Sequence, residues 1–573
     1  MSLAERVATA RGAAPADLLL TNARVVQLYT GDVEETDVAV TGPWIVGVGK
    51  GYGARETVDL AGRFLAPGFI DAHLHVESAL IPPREFARAV VPRGVTAVVI
   101  DPHEIANVLG LAGIRFMLRD AADVPLDVFA LAPSCVPASN LSTSGAALEA
   151  AELVGLLAEP QVLGLGEVMN YPGVVGADEA VLAKIRAFCG RVIDGHAPGL
   201  SGPLLNAYIA AGIASDHECA AATEAREKLR RGMWIYIREG TGARNLSALL
   251  PLVNAATERH FCLCTDDRDL GDLVDEGSID HLIRRSVAAG LDPLLALRLA
   301  TLNPAERFGL TDRGVVAPGR RADLVAFRDL AQPCPEMVFK DGKLVALDGK
   351  PLWPRNKGEA AGTVNALRID WTAVDFAVPL RGRRMRVIGV VPGQIVTEHL
   401  LLEASAERDC AVADASRDLA KIAVVERHHA SGRVGLGFVH GLGLSRGALA
   451  ATVAHDHHNL IVAGADDLSM STAARAVAAA GGGLAVARGQ ELLALLPLPI
   501  AGLMSAEPLE TVLAQDKALL AAARTLGTPL HDPFLMLSFL GLEVIPALKI
   551  TDRGLVDVER FCLVPLFLEE AGG

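Results

Sequence analysis

Five short apolar runs between residues 69 and 266 each close on a side chain that binds metal ions. No other feature of the chain constrains its fold as tightly. They are Phe69-Ile-Asp-Ala-His73-Leu-His75, Leu163-Gly-Leu-Gly-Glu167, Val192-Ile-Asp-Gly-His196, Ile213-Ala-Ser-Asp-His217 and Phe261-Cys-Leu-Cys-Thr-Asp266. A short continuous apolar run reads as a buried strand. Ligands gathered at the C-terminal ends of successive buried strands are what a (β/α)₈ barrel offers, because its active face is built there.

The rest of the chain fits that frame. Ala97 to Asp101, Val128 to Ala132 and Met233 to Arg238 supply further strand candidates. Arg84 to Val91, Glu149 to Leu157 and Ala221 to Arg230 have helical patterns between them. The spacing predicts a TIM-like barrel over 67–310. Short strands and turns flank it over 16–66 and 311–350, and read as one composite β-sandwich domain into which the barrel is inserted. A third, α+β region is expected over 366–573, with strands at Ile422 and Arg433 and an Ala-rich helix near Ser471. Pro351 to Gly362, rich in Pro, Gly and charge, reads as the linker before it. The fold class is therefore α/β, with an α+β extension.

Composition narrows the partners. A formal net charge of −15 and only 4% aromatic residues argue against a nucleic-acid surface. The N-terminus shows no apolar core of a signal peptide, and no stretch is long enough to cross a bilayer. The eight Cys show no paired framework, which suits a reducing cytoplasm. Cys262 and Cys264 alternate along one apolar strand and read as small core residues.

His73 and His75 alternate on a strand end, so both imidazoles face one side and make a chelating pair. His196 and His217 end consecutive strands, which two ordinary core histidines would not explain together. Glu167 closes the fourth strand, where a carboxylate is placed to bridge two cations; the competing reading is a solvated loop residue. Asp266 closes the last strand, and alternation favours it over Asp267. Four His and two carboxylates exceed what one cation takes from a protein, so the count predicts a binuclear site. Asp194 and Asp216 precede ligands and read either as supports for an imidazole or as turn residues. The cluster His455-Asp-His-His458 reads as a polar turn or domain contact, with metal binding as the rival.

Pro67-Gly-Phe-Ile-Asp-Ala-His-Leu-His75 resembles the signature of the amidohydrolase superfamily. Asp101-Pro-His-Glu104, Gly166-Glu-Val-Met-Asn170, Asp194-Gly-His-Ala-Pro-Gly199, Asp216-His-Glu218, Cys264-Thr-Asp-Asp267 and Thr301-Leu-Asn-Pro-Ala-Glu306 narrow the resemblance to its prokaryotic adenine deaminases. Gly437-Phe-Val-His440, His455-Asp-His-His-Asn459 and Leu548-Lys-Ile-Thr-Asp552 extend it through the C-terminal region. The resemblance implies hydrolysis of adenine to hypoxanthine and ammonia by a metal-bridged hydroxide. It implies two divalent ions, manganese or iron, on His73, His75, Glu167, His196, His217 and Asp266. It also implies a homo-oligomer acting on a small purine in purine salvage, with neither nucleic acid nor membrane as partner. Asp266 is expected to take a proton from the attacking water. Glu218 is the candidate acid toward the purine ring, with Glu104 and Asp267 as rivals. The chain departs from the pattern at Asp269 and near Ser278, where histidines are usual.

Three other readings are weaker. Hydantoinase- or dihydroorotase-like enzymes often bridge their metals with a carbamylated Lys, and the Glu167 strand has none. A non-catalytic barrel would have lost ligands, and none is missing. Zinc deaminases of nucleic acids carry a Pro-Cys-x-x-Cys arrangement not found in this chain.

Overall fold

Runs of Val, Ile, Leu and Ala form eight short parallel strands in the central region: β1 (Phe69–Leu74), β2 (Val95–Ile100), β3 (Asp127–Ala132), β4 (Val162–Val168), β5 (Val192–Gly195), β6 (Ser215–Asp216), β7 (Trp234–Arg238) and β8 (Phe261–Cys264). The computed structural model describes residues 2–355 and 367–568. Strands β1 to β5 form one parallel ladder and β6 to β8 another. Two seams close the barrel. Ala214 N donates to Ile193 O at 3.2 Å between β5 and β6, and Asp266 N donates to His73 O at 3.0 Å between β8 and β1. The run ending at His217 keeps only two ladder residues. It is lengthened at Ala214, whose carbonyl accepts from Trp234 N at 2.8 Å.

Alternation along the strands fills the barrel. Ile70, Ala72, Val99, Leu131 and Tyr236 meet Cys262 and Cys264 in one interior cluster, so both thiols are small core residues. The helices form close to the predicted spans, at Pro83–Val90, Ala150–Gly155 and Ala222–Arg230. Pro83 sits at the first helical position, where a missing N–H costs nothing. Glu149 becomes the N-cap of its helix, in a reciprocal box with Glu152.

The flanks of the barrel are joined. Five strands from before it and four from after it make one nine-stranded sheet. The link is the antiparallel pairing of Phe64–Pro67 with Leu324–Phe327. The sheet curls, and backbone bonds of 2.8 Å tie Ile45 to Gly319 and Arg320. Its arms enclose Leu20, Val25, Val38, Ile45, Leu324 and Phe339 as a sandwich core.

The C-terminal region carries an eight-stranded sheet, helices Asp467–Ala479 and Leu509–Arg524, and a three-stranded sheet ending at Cys562–Val564. Of the linker expected over Pro351 to Gly362, residues 356–362 lie outside the described residues. Among the described residues, no helix is long and apolar enough to cross a membrane.

Lys549 lies fully buried in that small sheet and donates to Ile395 O at 2.8 Å and Phe539 O at 2.9 Å. Burial pushes its ammonium down to about 7. Unfolded chains therefore bind more protons than the native state between about pH 7 and the usual lysine value near 10.4. Stability should rise with pH across that window. Urea unfolding of the wild type and Lys549→Met at pH 7 and 9.5 checks this. The wild-type gain relative to the variant is expected to be positive, and equal slopes would contradict it.

Candidate metal centre

The barrel brings all six predicted ligand residues to one buried point at the C-terminal ends of its strands. His73 Nε2 lies 3.4 Å from Asp266 Oδ1 and 3.7 Å from Glu167 Oε1. His75 Nε2 lies 3.3 Å and 3.4 Å from the same two oxygens. On the other side of Glu167, Oε2 is 2.8 Å from His196 Nδ1 and 3.3 Å from His217 Nε2. Glu167 thus offers one oxygen to the His73–His75 pair and the other to the His196–His217 pair. Asp266 closes the first group from a left-handed backbone position with φ 55°.

The surroundings orient these groups. His75 Nδ1 bonds the Asp101 carbonyl at 2.9 Å, which turns Nε2 toward the site. Asp101 Oδ2 accepts from Glu167 N at 2.8 Å. Burial disfavours the Glu167 carboxylate, but the His217 imidazole and bonds from His196, His217 and His75 outweigh it and hold its pKa well below the usual range. Asp266 behaves alike: burial is overcome by the Arg238 guanidinium and by His73 and His75. Burial pushes the Asp71 carboxyl up to about 7 despite hydrogen bonds from Thr265.

Both ring nitrogens of His73, and Nε2 of His196, are buried without a hydrogen-bond partner. Each orphaned polar atom of this kind costs about 1–3 kcal/mol. A buried set of imidazoles and carboxylates that includes unpaired ring nitrogens fits divalent cations, and the residues form several overlapping ligand groups.

Neither Asp194 nor Asp216 supports an imidazole. Asp194 Oδ1 accepts from Ser215, Tyr236 and Arg307 at 2.6–2.9 Å, locking the barrel interior. Asp216 accepts from Ala197 N at 2.9 Å and from Lys228 Nζ at 2.9 Å, joining the ends of β5 and β6.

A narrow cleft opens over the candidate ligands. Its barrel side carries Glu104, Glu218, Arg238 and Asp267. The C-terminal region forms the opposite wall with Ile395, His455, Asp456, Phe539 and Leu542. Glu104 is clasped there by His455 Nδ1 and His458 Nε2, so this histidine cluster is a domain contact, made at the rim of the site.

Residues 64–345 match the amidohydrolase family, and residues 394–562 match the adenine deaminase C-terminal domain. Over 98% of the chain, the sequence is 47% identical to an adenine deaminase of Desulfatibacillum aliphaticivorans, covering 99% of that protein. It is 48% identical to adenine deaminase 2 of Carboxydothermus hydrogenoformans over the same shares. It is 49% identical to an adenine deaminase of Cereibacter sphaeroides over 98% of this chain and all of the relative.

The chain belongs to the adenine deaminase family.

As an amidohydrolase of the adenine deaminase family it is metal-dependent, and the ligand groups above are where it would hold metal. Asp269 and Ser278, where the resemblance leads one to expect histidines, have structural roles of their own. Asp269 caps helix Leu270–Asp275 and lines a neighbouring cavity with Asp516 and Asp532. Ser278 is buried ahead of helix Ile279–Ala288. Glu218 sits 3.4–3.5 Å from His217 and His196, with both oxygens on the Arg238 guanidinium. Asp267 accepts from the Ser78 hydroxyl. Sequence reasoning missed Arg238, which bonds Glu218 and, at 2.6 Å, Asp266 Oδ2. The signal was present, since Arg238 ends the apolar run of β7 as the ligands end theirs.

Proposed function

We propose that this enzyme hydrolyses adenine to hypoxanthine and ammonia with two divalent cations, manganese or iron. His73, His75, Glu167, His196, His217 and Asp266 would hold them. The observation that carries this reading is a full ligand set beneath a cleft whose second wall comes from the adenine deaminase C-terminal domain. Bound divalent cations lower the pKa of water toward neutrality. Asp266 takes the proton of the attacking water through Oδ1, while Arg238 holds Oδ2. The water oxygen adds at C6, the C6–N bond breaks, and Asp266 returns its proton to the departing amine. Glu218 meets the purine ring, passes a proton to a ring nitrogen as negative charge develops there, and regains one from the C6 hydroxyl as that oxygen becomes the carbonyl of hypoxanthine. Arg238 sets the orientation of both carboxylates. The apolar wall of Met169, Phe539 and Leu542 excludes water around a flat ring. The same reading makes the enzyme a cytoplasmic homo-oligomer. The eight free cysteines support the compartment, and a solution mass of one chain would contradict the assembly.

Ammonia release from adenine by manganese-loaded protein tests the function, beside a chelated sample and His196→Ala. Release is expected from the loaded wild type alone. Metallated protein that leaves adenine intact but acts on another aminopurine or a cyclic amide would replace the substrate assignment.

A further inference from the structure

Beside the catalytic set, three more potential ligands meet at the seam between the barrel and the C-terminal region. His103 opens the helix after β2, Cys135 lies in the loop after β3, and Asp456 lies in the C-terminal turn. Each brings a donor atom within 4.8 Å of the other two. All three are nearly inaccessible, at 2%, 2% and 3% exposure.

Their hydrogen bonding is incomplete. Asp456 Oδ2 and His103 Nδ1 have no hydrogen-bond partner, nor does Nε2 of the adjacent His455. The His103 ring stands between two groups. Nδ1 is 3.4 Å from Asp101 Oδ1 and 3.5 Å from Glu167 Oε1, while Nε2 is 3.5 Å from Glu104 Oε1 and 3.6 Å from Asp456 Oδ1. One face of the imidazole therefore looks to the catalytic ligands and the other to the seam. A buried thiol, a buried carboxylate and an imidazole with unmet donors and acceptors are costly side by side unless something joins them.

We infer that His103, Cys135 and Asp456 form an additional metal site, which pins the C-terminal turn onto the barrel mouth. A sulfur, a nitrogen and an oxygen donor select a borderline ion such as zinc over manganese, which prefers oxygen. The fourth position falls to Glu104 or to water. The ion would fix the wall of the cleft without belonging to the catalytic pair, and the site stands whether or not adenine is the substrate. Binding deprotonates Cys135 and releases one proton to solvent.

Cobalt(II) titration of the metal-free full-length protein tests the site. The catalytic set has no sulfur donor, so a thiolate-to-cobalt charge-transfer band in the near ultraviolet reports the seam alone. The wild type is expected to bind about three ions per chain, one of them with the band. Cys135→Ser should lose the band and bind about two. Asp456→Asn should retain the thiolate and weaken the band-forming step at least about tenfold. Wild-type protein that saturates at two ions without a band overturns the inference. So does a band that survives Cys135→Ser. The wild-type spectrum decides even if a variant fails to fold, and adenine turnover on the same samples is scored separately.

Discussion

Asp266→Asn is expected to lower kcat on adenine by about 10²–10⁴-fold, the usual worth of a positioned general base. The amide keeps the shape of the side chain and an oxygen for His73 and His75, but it takes up no proton. Its –NH₂ also faces either the imidazoles or Arg238 Nη1, which now lies 2.6 Å from Oδ2. Metal content must therefore be measured with the rate. If cations are retained and kcat falls while KM changes little, Asp266 acts on the proton. If turnover stays within about threefold of wild type with cations retained, Asp266 is not the base. Glu218→Gln separates the second carboxylate, because it leaves the Asp266–Arg238 bond in place.

Lys228→Met is expected to destabilise the metal-free protein by about 3–5 kcal/mol, the range for breaking a buried charge pair. Lys228 is fully buried, and its Nζ donates to Asp216 Oδ2 at 2.9 Å, Ala197 O at 2.7 Å and Glu224 Oε1 at 2.7 Å. Methionine fills the space but leaves the Asp216 carboxylate without its cation. Glu224 reaches toward solvent and rehydrates, so it adds little to the loss. Ala197 follows His196 and Asp216 precedes His217, so the same variant should loosen both ligands. The measurements are a urea midpoint without metal and a manganese titration. A stability change below about 1 kcal/mol, with unchanged metal affinity, would mean that the lysine is not what holds these strand ends.

The barrel and the meeting of the six candidate ligand residues were legible because their signals are local. An apolar run and its last residue lie within a few positions of each other, and strand alternation selects Asp266 over Asp267. Eight such runs, with helices between, leave few other ways to bury them. The supporting contacts were not legible in the same way. The Glu104–His455 contact joins residues 351 positions apart, and nothing near either one announces the other. Asp216 shows the limit from another side. Its position before His217 left a link to the imidazole and a turn role equally open, and its partner is a lysine one helix further on. Arg238 was visible as the end of a strand, yet its role depends on two carboxylates from other strands.

The pairing of Pro67 with Leu324 means that the chain leaves the curled sheet and returns to it at facing positions in one ladder. About 250 residues are looped out between the two partners of a single rung. While the protein is being synthesised, the first five strands must wait for the whole barrel to emerge before their central partner arrives. Until then the strand ending at Pro67 offers an open edge. Barrel and sheet are then completed together, because Val26, Leu28, Val325 and Phe327 of the sheet are buried in one core with the barrel.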